Sequence, residues 1–455
     1  MVSEPSQTSR KKPRFGEAWA YGLVGIPMAA IGLPFAVFMP RFYAADLGLG
    51  LELTGLVFMI VRFTDVATDP VMGILVDRYP SRFGRVRHWL ALSVPVLLAA
   101  AIALYMPART GTSAGYLLVW LIIFYAGFTM LQTPHQAWVP ALTSDYDQRS
   151  RYFMWRQIFN VIALLALLSL PTVFAATTGA DVFTQIAAMG WVLIITLPLT
   201  VGFAIWWVRD PQTASTTRTR PVLSLPIVVH MLRDSAMARI LIIEILIGLA
   251  IAATGSTYLF AAEWGFGVKE EASAILMLFF LSGLIAMPFW LRLAERTEKH
   301  RTLVYLCIYA GVAHLLYLPL SALDSGIPIL IVGAILSGIP FGAPVALLRS
   351  MMADVSEQTL IRDGADRSGL SFAFLTSAFK TGQSFAIGIP FVLLGLVAGF
   401  DPVGDNSPAA VRNLMLVFAG VPALAYFVAA FVAWKYPLTR AVQAGLRAEN
   451  SSAPA

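Results

Sequence analysis

Charge is scarce in this chain. Only 13% of its 455 residues are Asp, Glu, Lys or Arg, whereas 58% are hydrophobic. A soluble domain carries about 25% charged residues, so this chain has too little polarity to clothe a water-facing surface, and the lipid bilayer is its expected solvent. Cysteine is scarcer still. Cys307 stands alone, which excludes an internal disulfide framework and a zinc site built on cysteines. No G-x-x-x-x-G-K-[ST] phosphate loop and no H-E-x-x-H metal motif is present. A serine elbow of the G-x-S-x-G type is not expected either, so the chain is not read as an enzyme. No metal and no cofactor is indicated. Met1 to Arg14 is polar and basic, without the short apolar core and cleavage site of a signal peptide. The net charge of +6 would suggest nucleic acid in a soluble protein, but its distribution points to the membrane, and no nucleic-acid partner is expected.

What the chain does have is long apolar runs. Twelve reach the ~20 residues that cross a bilayer, near 17–42, 51–76, 89–108, 114–141, 152–176, 185–208, 238–262, 271–294, 302–322, 327–348, 370–398 and 410–434. With the N-terminus placed inside, most lysines and arginines fall in the cytoplasmic connections. Arg41, Arg109, Lys269 and Arg412 lie outside, and Arg62 and Lys380 lie within spans. That asymmetry is the positive-inside pattern, and an even number of spans returns the C-terminus to the cytoplasm. The expected organisation is an all-α membrane protein of twelve transmembrane helices in two six-helix halves. A cytoplasmic tail (1–16) leads into the first half (17–208). A linker rich in Thr, Pro and Arg (209–237) joins it to the second half (238–434), and a cytoplasmic tail (435–455) follows. GILVDRYPSRFGRVR after the second run is echoed by LRLAERTEKHR after the eighth, as in transporters built from repeated halves around a central path.

The stretch Val61–Trp89, VRFTDVATDPVMGILVDRYPSRFGRVRHW, breaks the pattern. Asp65 and Asp69 are four residues apart, so on a helix both carboxylates share a face, with Cβ atoms roughly 6 Å apart. Arg62 lies near the same face. An ionisable group within a span costs about 2.5–3.5 kcal/mol on insertion scales and is by default a functional candidate. Pro70 and Pro134 interrupt the second and fourth runs beside these polar positions.

DVATDPVMGILVDRYPSRFGRVRHW resembles the second helix and following loop of the glycoside–pentoside–hexuronide:cation symporters, the melibiose-permease-like branch of the major facilitator superfamily. QTPHQAWVPALTSDYDQRSRYFMWRQIFN and MMADVSEQTLIRDGADRSGLSFAFLTSAFKTGQSFA extend the resemblance over nearly the whole chain. It implies the major facilitator fold and cation-coupled symport of a sugar or glycoside by alternating access. Asp65 and Asp69 would serve the coupling cation, with Thr129 beside them and Lys380 facing the acids across the two halves. Na⁺ prefers several hard oxygen ligands, whereas a proton needs a buried carboxylate. Arg156 matches an arginine near the cytoplasmic end of the sugar cavity.

Other residues complete the expected site. Gln132 stands where sugar-recognising members carry an aspartate, and a first-helix aspartate falls near Ala29 or Ala30. These losses favour H⁺ over Na⁺, and they admit an amphiphilic, lysolipid-like or drug-like solute, taken up or exported, as an alternative. A non-transporting membrane sensor or assembly partner is a third reading. Tyr125, Trp138 and Glu244 join Gln132 and Arg156 as substrate-binding candidates. His135 is a candidate for titration near neutral pH. Arg62 is expected to partner the acids. Asp77, Arg78 and Arg85 on one half, and Asp354 and Arg367 on the other, are expected to form the cytoplasmic gate. A monomer in the bacterial inner membrane is expected.

Overall fold

The computed structural model describes residues 16–79, 81, 83–84, 86–142, 146–208, 229, 231–321, 326–363, 368–439 and 442. Its long helices are α1 (Glu17–Asp46), α2 (Leu51–Arg78), α3 (Arg87–Tyr105), α4 (Ala114–Leu142), α5 (Tyr146–Thr178) and α6 (Val182–Trp207), followed by α7 (Ser235–Gly265), α8 (Ala272–Arg296), α9 (Lys299–Leu320), α10 (Gly326–Thr359), α11 (Leu370–Val397) and α12 (Pro408–Trp434). Eleven of these are long and apolar enough to cross a membrane. The exception is α2. Its 28 residues reach about 42 Å at 1.5 Å per residue, so length does not disqualify it. Its charges do. The expected linker at 209–237 falls largely outside the described residues.

Helix ends coincide with polar caps, which satisfy backbone N–H groups that the helix leaves over. Asp181 accepts from the Thr184 N–H at the start of α6, Asp234 from the Ala236 and Met237 N–H groups at α7, and Ser407 from the Ala410 N–H at α12. The letters G-x-S-x-G do occur, as GTSAG at 111–115, but they lie in the turn that leads from α3 into α4. A nucleophile elbow needs a strand before its serine, and here a helix precedes it.

Two groups of six helices repeat one packing plan. In the first, α1 packs on α5, α2 on α4, and α3 on α6. In the second, α7 packs on α11, α8 on α10, and α9 on α12. Glycine permits the closest of these approaches. A methyl group added at Gly25 of α1 would collide with the Arg156 carbonyl of α5, and one at Gly382 of α11 with the Ile245 carbonyl of α7. Small residues that let backbones approach are the usual device for packing helices in lipid, where no hydrophobic drive exists between them.

Exposure sorts the helices into inner and outer. α6 exposes Trp191, Ile195, Leu199 and Trp206, and α12 exposes Leu424, Phe431 and Trp434. By contrast, α1 exposes only Trp19 among its large apolar residues and α7 only Ile242, while α10 exposes Ile327, Val332 and Ile335 in its first stretch. The inner helices therefore turn toward protein or the central path.

The groups meet along α2–α11 and α5–α8. We call the face where α1 begins and α2 ends the near face, and the opposite one the far face. Among the described residues, direct bonds between the groups run from mid-depth to the far face. Arg41 at the end of α1 bonds Glu263 at the end of α7, and Lys269 Nζ lies 2.7 Å from the other Glu263 oxygen. Thr172 of α5 bonds Ser273 of α8 at 3.0 Å and the Glu270 carbonyl at 3.2 Å. Phe63 of α2 meets Phe385 of α11 edge-on, 5.1 Å between ring centres.

The tenth helix runs on past its apolar run. α10 breaks after Gly338, passes through Gly342 at φ +82°, and resumes as Ala343–Asp363. Arg349, one residue past that run, lies inside the helix.

Candidate functional site

On α2, Arg62 and Asp65 are three residues apart and share a face. On the neighbouring α4, Tyr125, Thr129 and Gln132 follow at steps of four and three, again one face. Both helices run from the far face to the near face, so their faces meet in register. The Arg62 guanidinium lies over the Tyr125 ring, 4.8 Å from its centre. One turn on, the Thr129 hydroxyl donates to Asp65 Oδ1 at 3.0 Å. From across the seam, Lys380 of α11 brings Nζ to 3.2 Å from Asp65 Oδ2. Asp65 is 2% exposed. Three of the four residues expected to serve the coupling ion thus converge on one carboxylate.

The fourth, Asp69, is a backbone position of α2, and its side chain lies outside the described residues. The same holds for Asp77 and Arg78. Arg85 and Arg367 lie outside them altogether. Asp354, expected to gate against the other half, is bonded here to Lys299 Nζ at 2.5 Å, within its own group of six. Arg362 stands 3.6 Å from Asp234 in the same group.

The expected substrate residues are placed as follows. Tyr125 and Trp138 are buried on α4, and neither the Tyr125 hydroxyl nor Trp138 Nε1 has a hydrogen-bond partner among the described residues. Arg156 holds its guanidinium 5.7 Å from the centre of the Phe153 ring, and its Nη1 is also unpartnered. Glu244 of α7 is 2% exposed with Oε2 unpartnered. Gln132 is half-buried one turn beyond Thr129. A buried polar atom left without a partner costs about 1–3 kcal/mol, so four of them are more than packing requires. Several of these atoms suit a polar ligand.

His135 is used differently. Its ring stacks on Tyr21 at 3.9 Å, its Nε2 lies 3.1 Å from the Tyr21 carbonyl, and the Tyr21 hydroxyl donates to the His135 carbonyl at 3.0 Å. These contacts tie α4 to α1.

Two groups were not singled out from the sequence. Arg41, Glu263 and Lys269 form the far-face cluster, and only their positions at span ends could have marked them. Arg349 was legible as an arginine in an uninterrupted helical stretch, ALLRSMMADVSE, just past an apolar run. Outside the spans, Asp181 also bonds the Thr184 hydroxyl at 2.6 Å and Arg109 at 2.8 Å. The hydrogen bonds from Thr184 hold its carboxyl below the ordinary range, with Arg109 adding to the effect.

Comparison with known proteins places this arrangement in a family. The pattern described as MFS/sugar transport protein matches residues 20–440. A sodium-dependent lysophosphatidylcholine symporter of Danio rerio is 21% identical, over 94% of this chain and 88% of its own. A glucuronide carrier protein homolog of Escherichia coli is 20% identical, over 89% of this chain and 88% of its own. Among solved structures, a D-xylose-proton symporter superposes with a TM-score of 0.67 at 13% identity, covering 93% of this chain and 96% of that one. That likeness shows the major facilitator fold.

Proposed function

The chain belongs to the MFS/sugar transport protein family, and on that premise we propose that it is a proton-coupled symporter of a sugar or glycoside working by alternating access. The observation that carries the proposal is the Asp65–Lys380 contact. One carboxylate, nearly out of reach of water, is shared by a lysine of the other half and a hydroxyl of its own. Protonating Asp65 removes its attraction for Lys380, and with it one of the bonds between α2 and α11. The proton and the position of Lys380 are thereby interdependent. Na⁺ is the less suitable ion, because Lys380 already stands at one Asp65 oxygen and hard cations want several.

We take the near face as cytoplasmic, with both termini there, in the inner membrane of a bacterium, the protein acting as a monomer. The bonds near the far face then belong to an inward-facing state. Asp354 and Arg362 take part in closing the near face in the other state. Asp65, Asp69, Thr129 and Lys380 handle the ion. Gln132, Arg156, Tyr125, Trp138 and Glu244 contact the solute.

A second reading replaces the sugar by an amphiphile. Buried Ala29 and Ala30, where sugar-recognising members carry an aspartate, favour it. So does the name of the Danio rerio relative.

Proteoliposomes holding the purified protein test the proposal. An inward proton gradient should drive accumulation of labelled glycosides, and Asp65→Asn should abolish accumulation at equal protein content. Uptake of only lysolipids would transfer the proposal to the amphiphile reading. Driven uptake that survives Asp65→Asn would refute the coupling site. No uptake of either class, with Asp65 dispensable in cells, would favour the sensor reading.

A further inference from the structure

We propose that Arg349, backed by Glu244, is a subsite on the wall of the second half that takes an anionic group, a carboxylate or a phosphate, of the transported solute. The inference rests on the reading that a solute passes between the halves.

Arg349 belongs to the second stretch of α10, Ala343–Asp363. Around it, Leu347, Leu348, Met351 and Met352 are buried in the core of the second half. On the other side of the helix, Arg349 and Ala353, four residues apart, are exposed. Lipid-facing stripes elsewhere in the bundle are made of Leu, Ile, Phe and Trp, and among its described side chains this stretch exposes no large apolar one. Its exposed stripe therefore faces the central path.

The guanidinium there has no hydrogen bond or ion pair with another described residue. Arg349 is nonetheless the charged group that acts on Glu244 of the adjoining α7, whose Oε2 is buried without a partner. A closed structural pair would have engaged both carboxylate oxygens with the arginine fork. This pair is open, with donors to spare. An ionisable group within a span is a functional candidate by default, and a planar guanidinium matches carboxylate and phosphate bidentately.

The test is uptake into proteoliposomes of two matched probe pairs. One pair is p-nitrophenyl glucuronide against p-nitrophenyl glucoside. The other is lysophosphatidate against the monoacylglycerol of the same chain. The wild-type protein should prefer the anionic member of one pair, and which pair it is separates carboxylate from phosphate. Arg349→Gln should raise KM for that anionic probe by about 10- to 100-fold, the scale of a charge-assisted hydrogen bond, and leave KM for its neutral twin unchanged. Arg349→Lys should retain part of the preference. Arg349 is exposed, so these variants should fold, and uptake of the neutral twin reports that they do. Equal uptake of both members of each pair, or a preference that survives Arg349→Gln, overturns the subsite. If Asp65→Asn still abolishes driven uptake, the symporter reading stands without it. No uptake of any probe overturns both.

Discussion

Lys380 Nζ stands 3.2 Å from Asp65 Oδ2, so an ion pair joins α11 to α2 at mid-depth across the seam between the two halves. A charge pair in a bilayer protein is not a cheap structural tie. Removing either partner strands the other, at a cost of about 3–5 kcal/mol in buried cases, while replacing both is often near neutral. The pair is worth keeping if its making and breaking is the working step.

A double-mutant cycle follows directly. Asp65→Asn and Lys380→Gln should each lower thermal stability of the purified protein, and the double variant should recover part of the loss. The coupling energy should be about 1–3 kcal/mol. Proton-driven uptake should remain absent in all three. Strict additivity would mean that the two side chains do not interact in the folded protein.

The far-face cluster predicts a conformational bias. Glu263 receives Arg41 from α1 and also holds Lys269. Glu263→Gln removes charge-assisted bonds worth about 1–2 kcal/mol together, which shifts a two-state equilibrium about tenfold. A cysteine placed at Ser273, in a background lacking the buried Cys307, should then react about tenfold faster with a membrane-impermeant maleimide from the far side. An unchanged rate would show that the cluster does not hold that face closed.

How much of this was legible in the sequence depended on whether a residue departs from its local pattern. Asp65 and Asp69 stand out because each interrupts an apolar run, and the twelve long helices followed from the runs alone. Thr129 and Lys380 needed the family resemblance, since a threonine in a span is ordinary and the lysine's partner lies on a distant helix. Arg41 and Glu263 gave no local signal, because charged residues at span ends are the norm. Arg349 stands just past an apolar run, and α10 continues through the break at Gly342 so that it lies inside the helix. The meeting of Tyr125 with Arg62 depends on the register of α4 against α2, which no single-helix pattern specifies.

Packing at the glycines makes a stability prediction. Gly25→Ala and Gly382→Ala each press a methyl group against a carbonyl of the neighbouring helix, and overpacking of this kind costs about 1–3 kcal/mol. Gly202→Ala on α6, where a methyl group meets nothing, should leave thermal stability unchanged. Gly25→Ala should also impair transport more than its stability loss accounts for, because it displaces the backbone that carries Arg156. Equal behaviour of the three variants would refute this account of the helix contacts.

Asp181 makes the pH prediction. Its carboxyl caps α6 by accepting from the Thr184 N–H at 3.0 Å and from the Thr184 hydroxyl, and Arg109 lies beside it. These partners favour the charged form, so its proton affinity is lower folded than unfolded. A group depressed in this way contributes stability that is fully present above its unfolded value, about 3.9. That contribution is lost as pH falls through the lower folded value. Asp181→Ala should therefore cost about 1 kcal/mol, the usual worth of an N-cap, with a deficit constant from pH 5 to 8. Below about pH 4, the deficit should shrink, because the wild-type cap is itself being protonated. Melting curves of the two proteins across that range check it. A deficit that grows toward acid would mean that the carboxyl is bound more tightly to its proton in the folded state, contrary to the geometry around Thr184.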